Sequence, residues 1–239
     1  MFAIKMFTPA GALAFIKVRL NVERRFYART MATKRNFPLF PLGLVALPGE
    51  VVPLHIFEER YKSMIAYCLE HEQEFGIVCS DEEGLREIGC AMIVEEVIDR
   101  SDDGRLDILC IGTRAFELIS RTETLQYPAG EVEFLEDQSD AQPDTATVVR
   151  ELYAGLYSDA TEQNLEPEEL AAMTSYDMAA TVEFGYEAKQ TLLELRSEEA
   201  RLKLLEKLFR AAVKRVDDLG RAEALARSNG KVRFGNLRA

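Results

Sequence analysis

Cys68 and His71 stand three residues apart in a stretch with helical periodicity, a spacing that puts a thiol and an imidazole on one helix face and could chelate a soft metal. That is half of a site, and nothing in the sequence supplies the other half. The remaining cysteines, Cys79, Cys90 and Cys110, fall in strand patterns, and no C-x-x-C pair occurs among the four. They read as small buried hydrophobes in a reducing compartment, and no metal is assigned. His71, near the end of its helix, reads as a partner for the negative end of the helix dipole.

With His55 as the only other histidine, a Ser-His or Cys-His pair has few ways to form. His55 lies in Pro53-Leu54-His55, close in sequence to Glu58, and reads as a locally hydrogen-bonded boundary residue. The carboxylate pairs Glu95-Glu96 and Asp102-Asp103 are adjacent, so in a strand they face opposite sides and in a turn they face water. Gly230-Lys231 is followed by Val232 and has no glycine five residues before it, which excludes a phosphate-cradling P-loop. No G-x-S-x-G elbow is present. No catalytic, cofactor-binding or metal-ligating residue is assigned, no cofactor is implied, and the substrate-binding residues are left unnamed.

The composition sets wider limits. The 239 residues suffice for one large domain or two small ones. Hydrophobic content of 47% with 29% charge is ordinary for a soluble globular protein, and no apolar run reaches the ~20 residues a membrane helix needs. A net charge of −12 argues against nucleic acid, which is bound by clustered Lys and Arg. Neither nucleic acid nor membrane is expected as a partner.

The elements that must position any site are organised around residues 37–61, FPLFPLGLVALPGEVVPLHIFEERY. Pro38, Pro41, Pro48 and Pro53 forbid a helix there, while the apolar content forbids a solvated loop. Two short strands with a type II turn at Pro48-Gly49, forming a hairpin-like corner, satisfy both constraints. A helix follows over residues 58–72. Strands are expected at 74–80, 88–99, 105–111, 114–120 and 129–135, with a hairpin at Asp103-Gly104 and a bulge or bend at Gly112. The result is a small, strongly bent sheet or open barrel.

The polar stretch 137–144, DQSDAQPD, is the best domain boundary, and the chain beyond it has helical periodicity. Helices are expected over 145–157, from Pro167, from a Ser175 cap through Phe184, over 187–196, and in a long final helix capped by Ser197. In that last helix Leu202, Leu205, Phe209, Ala212, Val216 and Leu219 form a heptad seam, suited to packing on the shorter helices or to a dimer. The domains are therefore an extension (1–35), a β-rich unit (36–137), a helical bundle (144–229) and a loose tail (230–239). The first 30 residues carry Lys5, Lys17, Arg19, Arg24, Arg25 and Arg29 against Glu23. Two readings stand open: a mis-assigned start upstream of Met31, or an organelle targeting segment.

The stretch 37–61 resembles the start of the N-terminal, substrate-binding domain of Lon proteases. The residues that carry the likeness are 39–42, Leu47-Pro48-Gly49 and Pro53-Leu54-His55-Ile56-Phe57, followed by Ile88-Gly89, the Asp103-Gly104 hairpin and Gly112-Thr113-Arg114-Ala115-Phe116. The resemblance implies an α+β fold, a bent pseudo-barrel of PUA type with one helix followed by a helical bundle. In full-length Lon proteases such a domain precedes an ATPase and a Ser-Lys peptidase, and neither module is legible here, nor is the zinc domain of cereblon or a RING. The chain is similar to stand-alone Lon-domain proteins that carry a peptidase S16 label without peptidase residues. It implies a non-enzymatic module that binds unfolded or exposed apolar polypeptide segments, with a protease or chaperone as a further partner, in the cytoplasm or in a plastid or mitochondrion if residues 1–30 target it. A peptidase or hydrolase and a self-assembling scaffold are the alternatives, and the oligomeric state is left open.

Overall fold

The computed structural model describes residues 33–229 apart from 83 and 123, with side chains described less fully beyond residue 216. Residues 1–32 of the extension expected over 1–35, and the tail from Gly230, lie outside the described residues. Among the described residues seven strands come first: β1 (Thr33–Leu42), β2 (Val51–Ile56), β3 (Phe75–Asp81), β4 (Gly84–Leu85), β5 (Ile88–Arg100), β6 (Leu106–Thr122) and β7 (Ala129–Phe134). Helix α1 (Glu59–Glu70) interrupts them after β2. The helices α2 (Pro143–Thr161), α3 (Pro167–Ala172), α4 (Ser175–Ala179), α5 (Tyr186–Glu194) and α6 (Glu198–Asn229) follow.

The strands run in the order β1-β7-β6-β5-β3, and β3 pairs with β1 in parallel, so the mostly antiparallel sheet closes in a ring. It is not a regular barrel: β2 attaches to the first half of β6, whose second half pairs with β7. The expected bent sheet is therefore present, but the hairpin-like corner is not. β1 and β2 do not pair; β1 takes β7 and β3 as neighbours while β2 takes β6. The prolines explain how this is tolerated. Pro38 lies where β1 pairs with β7, and Pro41 lies where it pairs with β3, so each half of the strand has one neighbour and an open side for the missing N–H.

Alternation along the strands separates two cores. Phe37, Leu39, Val78, Ala91, Phe116, Val132 and Phe134 fill the ring. Phe116 sits against two glycine backbones: a Cβ on Gly76 would come within 2.5 Å of its ring and one on Gly89 within 2.6 Å. The opposite strand faces, including Phe40, Ile77, Cys90, Met92 and Ile108, join α1 and the later helices in a second continuous cluster. The two strands expected at 105–111 and 114–120 are one long β6. Gly112 lies at a register shift between Ala91 and Met92 of β5, so the bulge expected there is found. The turn at Asp103-Gly104 is also as expected, with Gly104 at φ 81° donating to the Ser101 carbonyl at 2.9 Å.

The polar stretch after β7 is held at several points. Asp140 accepts from Ser197 Oγ (2.7 Å) and the Glu199 amide (3.1 Å), and Glu199 accepts from the Gln142 amide (2.8 Å) and Thr145 Oγ1 (2.9 Å). Asp140 thus caps the first turn of α6, and Glu199 in that turn reaches back to the start of α2. Ser197 Oγ accepts from the Ala200 amide at 3.0 Å, the N-cap expected of it.

These bonds give an acid-sensitivity. The Ser197 hydroxyl and the Glu199 amide hold Asp140 below its ordinary value of 3.8, and the Gln142 amide holds Glu199 below 4.5. Groups depressed on folding add stability above their unfolded values and lose it as pH falls through their folded ones. Urea unfolding midpoints are expected to fall as pH drops from the region above 4.5 to below 3.8, and Asp140→Asn should flatten part of that fall.

One helix departs from expectation at both ends. The cap of α4 is Thr174, whose hydroxyl accepts from the Asp177 amide (3.4 Å) while Asp177 Oδ2 accepts from the Thr174 amide (2.7 Å). Ser175 is the first helical residue instead. The helix stops at Ala179, short of Phe184, because the chain turns to bury Val182 and Phe184 in the core. In α6, Leu202, Leu205 and Phe209 are buried among the other helices, with Phe209 meeting Tyr153 at 5.9 Å and Phe184 at 6.1 Å between ring centroids. The first half of the heptad seam is therefore occupied within the chain. Val216 is 47% exposed, and the helix continues through Gly220.

Candidate functional site

Residues weighed for chemistry in the sequence are dispersed. Cys68 is buried, and burial raises its thiol pKa to about 12, whereas His71 is exposed, donates Nδ1–H to the Tyr67 carbonyl at 3.0 Å and stacks on the Tyr67 ring. Burial likewise pushes the Cys79, Cys90 and Cys110 thiols upward. Among the described residues no three His, Cys, Asp or Glu side chains gather as a metal would need. His55 pairs with Asp107 on the facing strand at 2.6 Å, not with Glu58, because register places the two opposite each other. Glu95 and Glu96 are exposed on β5, and Asp103 pairs with Arg105 at 2.8 Å in the hairpin turn. Gly230-Lys231 lies outside the described residues.

A cleft of about 170 Å³ opens where the strand region meets the helices. One wall is the segment from Gly43 to Val45 with Glu50 and Val51; the other runs from Ala180 through Phe184 to Tyr186 and Lys189. The first wall is set by the Pro48-Gly49 turn. Gly49 takes φ 81° and the Glu50 amide donates to the Leu47 carbonyl at 3.0 Å, the type II geometry expected. The turn is pinned on β6: the Gly49 amide donates to the Gly112 carbonyl (2.8 Å), and the Gly112 amide donates to the Glu50 carbonyl (2.9 Å).

Glu50 is thereby aimed across the junction. Its Oε2 accepts from the Leu47 amide at 3.1 Å and its Oε1 pairs with Lys189 in the first turn of α5. Both side chains are more than four-fifths buried, so water screens the pair weakly. Lys189→Met leaves Glu50 without its cation and is expected to lower stability by about 1–2 kcal/mol, measured by urea denaturation.

The rim is mixed. Tyr186 is 51% exposed, and beside it Arg86 pairs with Asp81 (2.8 Å) and reaches Glu187 (3.4 Å). The hydrogen bond and negative charge of Glu187 hold the Tyr186 phenol above its ordinary value. Glu183 lines the cleft, is exposed, and has no ion pair among the described residues. Leu44, Val45, Val51, Val182 and Phe184 supply the apolar lining. Such a site can take an apolar group and hold polar groups at its edge. The sequence reading did not single out Glu50, Glu183, Tyr186 or Lys189. The available clue was Lys189, the single cation in the otherwise acidic stretch 182–195.

Directly after Gly112 on β6, Thr113 Oγ1 (2.6 Å) and Arg114 Nη2 (2.7 Å) donate to Glu74, which is 4% exposed, and the Arg114 guanidinium lies 3.5 Å from the Phe134 centroid. The run from Gly112 to Phe116 thus supports the turn, holds Glu74 and fills the ring in five successive residues. A sequence model of the substrate-binding domain of ATP-dependent protease La (Lon) matches residues 36–210.

The chain belongs to that family. Its Lon domain is 26% identical over 135 residues to a Lon protease of Parabacteroides distasonis, covering 53% of this chain and 16% of that protein. A Lon protease of Paraburkholderia phytofirmans is 26% identical over 167 residues, covering 63% of this chain and 21% of that one. The chain therefore spans about a fifth or less of the length of these curated relatives. Among solved structures, a Lon N-terminal domain protein from Xanthomonas campestris superposes with a TM-score of 0.57 at 24% identity, covering 73% of this chain and 97% of that one. The N-terminal domain of a Mycobacterium avium complex Lon protease gives 0.53 at 18% identity, covering 72% and 97%. Both share the fold of the Lon domain described above.

Proposed function

We propose that this chain is a non-enzymatic polypeptide-binding module that takes unfolded or exposed apolar segments in protein quality control. What carries the reading is the cleft between the Pro48-Gly49 turn and α5, apolar within and polar at its rim, in a chain of the Lon substrate-binding family. A protease or chaperone is the proposed further partner, since the relatives are named Lon proteases. The proposed location is the cytoplasm, with an organelle as the alternative if residues 1–30 are a targeting segment. Among the described residues no helix is long and apolar enough to cross a membrane.

The same reading divides the chain into an extension (1–35), a β unit (36–137), a helical unit (144–229) and a tail (230–239). The contacts of Asp137 and Asp140 lead us to expect that a proteolytic cut between the two central units leaves them associated.

The test uses a permanently unfolded protein, reduced and carboxymethylated, labelled with fluorescein. Its anisotropy should rise saturably with the wild type and much less with Leu44→Asp, while gels with and without ATP show no fragments. Absence of saturable binding, or reproducible cleavage, would contradict the proposal.

A further inference from the structure

The charges around the cleft are unequal in availability. Both nearby cations are engaged: Lys189 by Glu50, and Arg86 by Asp81 and Glu187. Glu183 is exposed on the cleft wall between the buried side chains of Val182 and Phe184 and has no ion pair among the described residues. The surplus around the apolar opening is thus negative, in a chain whose net charge is −12. The cleft volume, about 170 Å³, falls below the range of small-molecule pockets and suits one bulky side chain.

We infer that the cleft selects among polypeptide segments, accepting one bulky apolar residue flanked by Lys or Arg and rejecting the same residue flanked by Asp or Glu. This rests on the polypeptide-binding reading and adds its specificity. The apolar residue seats against Val45, Val182 and Phe184, and that contact places its neighbour's side chain at the rim, within reach of Glu183. A cation there gains a partner without displacing an existing ion pair. An anion there meets the carboxylates of Glu183 and Glu187, with Arg86 already shared. Complementary rim charge acts on specificity more than on raw affinity, and salt screens it.

Four fluorescein-labelled peptides in one Gly-Ser-Asn host test this on the full chain at low and moderate salt: Leu flanked by Lys, by Gln and by Glu, and Ser flanked by Lys. The expected order of affinity is Lys-Leu above Gln-Leu above Glu-Leu, with about five-fold between the extremes at low salt, shrinking as salt is added. Ser flanked by Lys should not bind. Glu183→Gln should bring the ratio toward one and Glu183→Lys should reverse it, whereas Glu168→Lys, which makes the same change of net charge on exposed α3 outside the cleft lining, should preserve the order. Leu peptides bound equally whatever their flanks would overturn the selectivity and leave the polypeptide-binding reading standing. Reversal by Glu168→Lys as complete as by Glu183→Lys would assign the preference to net charge and overturn it too. No binding of any Leu peptide would overturn both.

Discussion

Gly112→Ala is expected to lower stability by about 3 kcal/mol, the upper end of what overpacking a tight site does. The new Cβ would stand 2.1 Å from the Leu47 carbonyl oxygen and 2.9 Å from the Leu47 carbonyl carbon, and these are backbone atoms that cannot rotate away. Relief requires lifting the Pro48-Gly49 turn off β6. That lengthens the Gly49-to-Gly112 and Gly112-to-Glu50 hydrogen bonds and draws Glu50 away from Lys189. The same change should therefore weaken unfolded-client binding at concentrations of urea where the variant is still folded. Gly155→Ala is the comparison: nothing lies within 4 Å of its Cβ position inside α2, so helix propensity alone should raise stability by about 0.5–1 kcal/mol. Urea denaturation distinguishes the two, and equal effects would contradict the close packing of turn on strand.

Arg201→Met is expected to cost about 3 kcal/mol, again by urea denaturation. Arg201 is 2% exposed and is the largest of the fully buried side chains. Its guanidinium spans both carboxylate oxygens of Asp137 (3.2 Å each), Glu198 Oε2 (2.7 Å) and the Leu195 carbonyl (2.7 Å), donates to Ser175 Oγ (2.8 Å), and lies 4.2 Å from the Tyr176 ring centroid. Methionine preserves the volume and removes every donor, leaving Glu198 largely buried without its cation. Asp137 keeps Arg196 at 3.2 Å, which moderates the loss. Glu198→Gln in the Arg201→Met background should recover part of it, since the stranded charge is then gone. Arg201→Lys should fall between, because an ammonium cannot make the fork-like contact with Asp137.

The fold was legible where local chemistry and tertiary demand agree. Pro48-Gly49, Asp103-Gly104, the Gly112 bulge and the Ser197 cap each act through a few neighbouring residues, so their types and spacing were enough. The pairing of β1 was not legible. Pro38 and Pro41 announce open sides of a strand but not which partner fills the other side, and that choice depends on residues about 40 and 90 positions away. Helix α4 misled for a related reason: Ser175 is a good cap by type, but Arg201 and Glu198 claim its hydroxyl, and Thr174 with Asp177 closes the box one residue earlier.

The candidate site was less legible than the fold. Glu50 and Lys189 are 139 residues apart, and neither has a local pattern that marks a cross-junction pair. Nothing in the sequence sets Arg201 apart from the other cations of α6, yet it is buried and holds the polar connector through Asp137. The polar composition of DQSDAQPD signals a break in hydrophobic periodicity; it does not distinguish a solvated stretch from one in which Asp140 caps α6 and the Gln142 amide donates to Glu199.

The central claim is that the cleft between the Pro48-Gly49 turn and α5 receives apolar polypeptide segments. Photocrosslinking tests it most directly, with a benzophenone amino acid placed at Leu44 or Tyr186 on the cleft wall, or at Glu95 on the exposed face of β5 as the reference. Illumination with the carboxymethylated client should give adducts from the two cleft positions, competed by excess unlabelled client, and little from Glu95. Equal adduct yield from all three positions, or adducts from Glu95 alone, would contradict it.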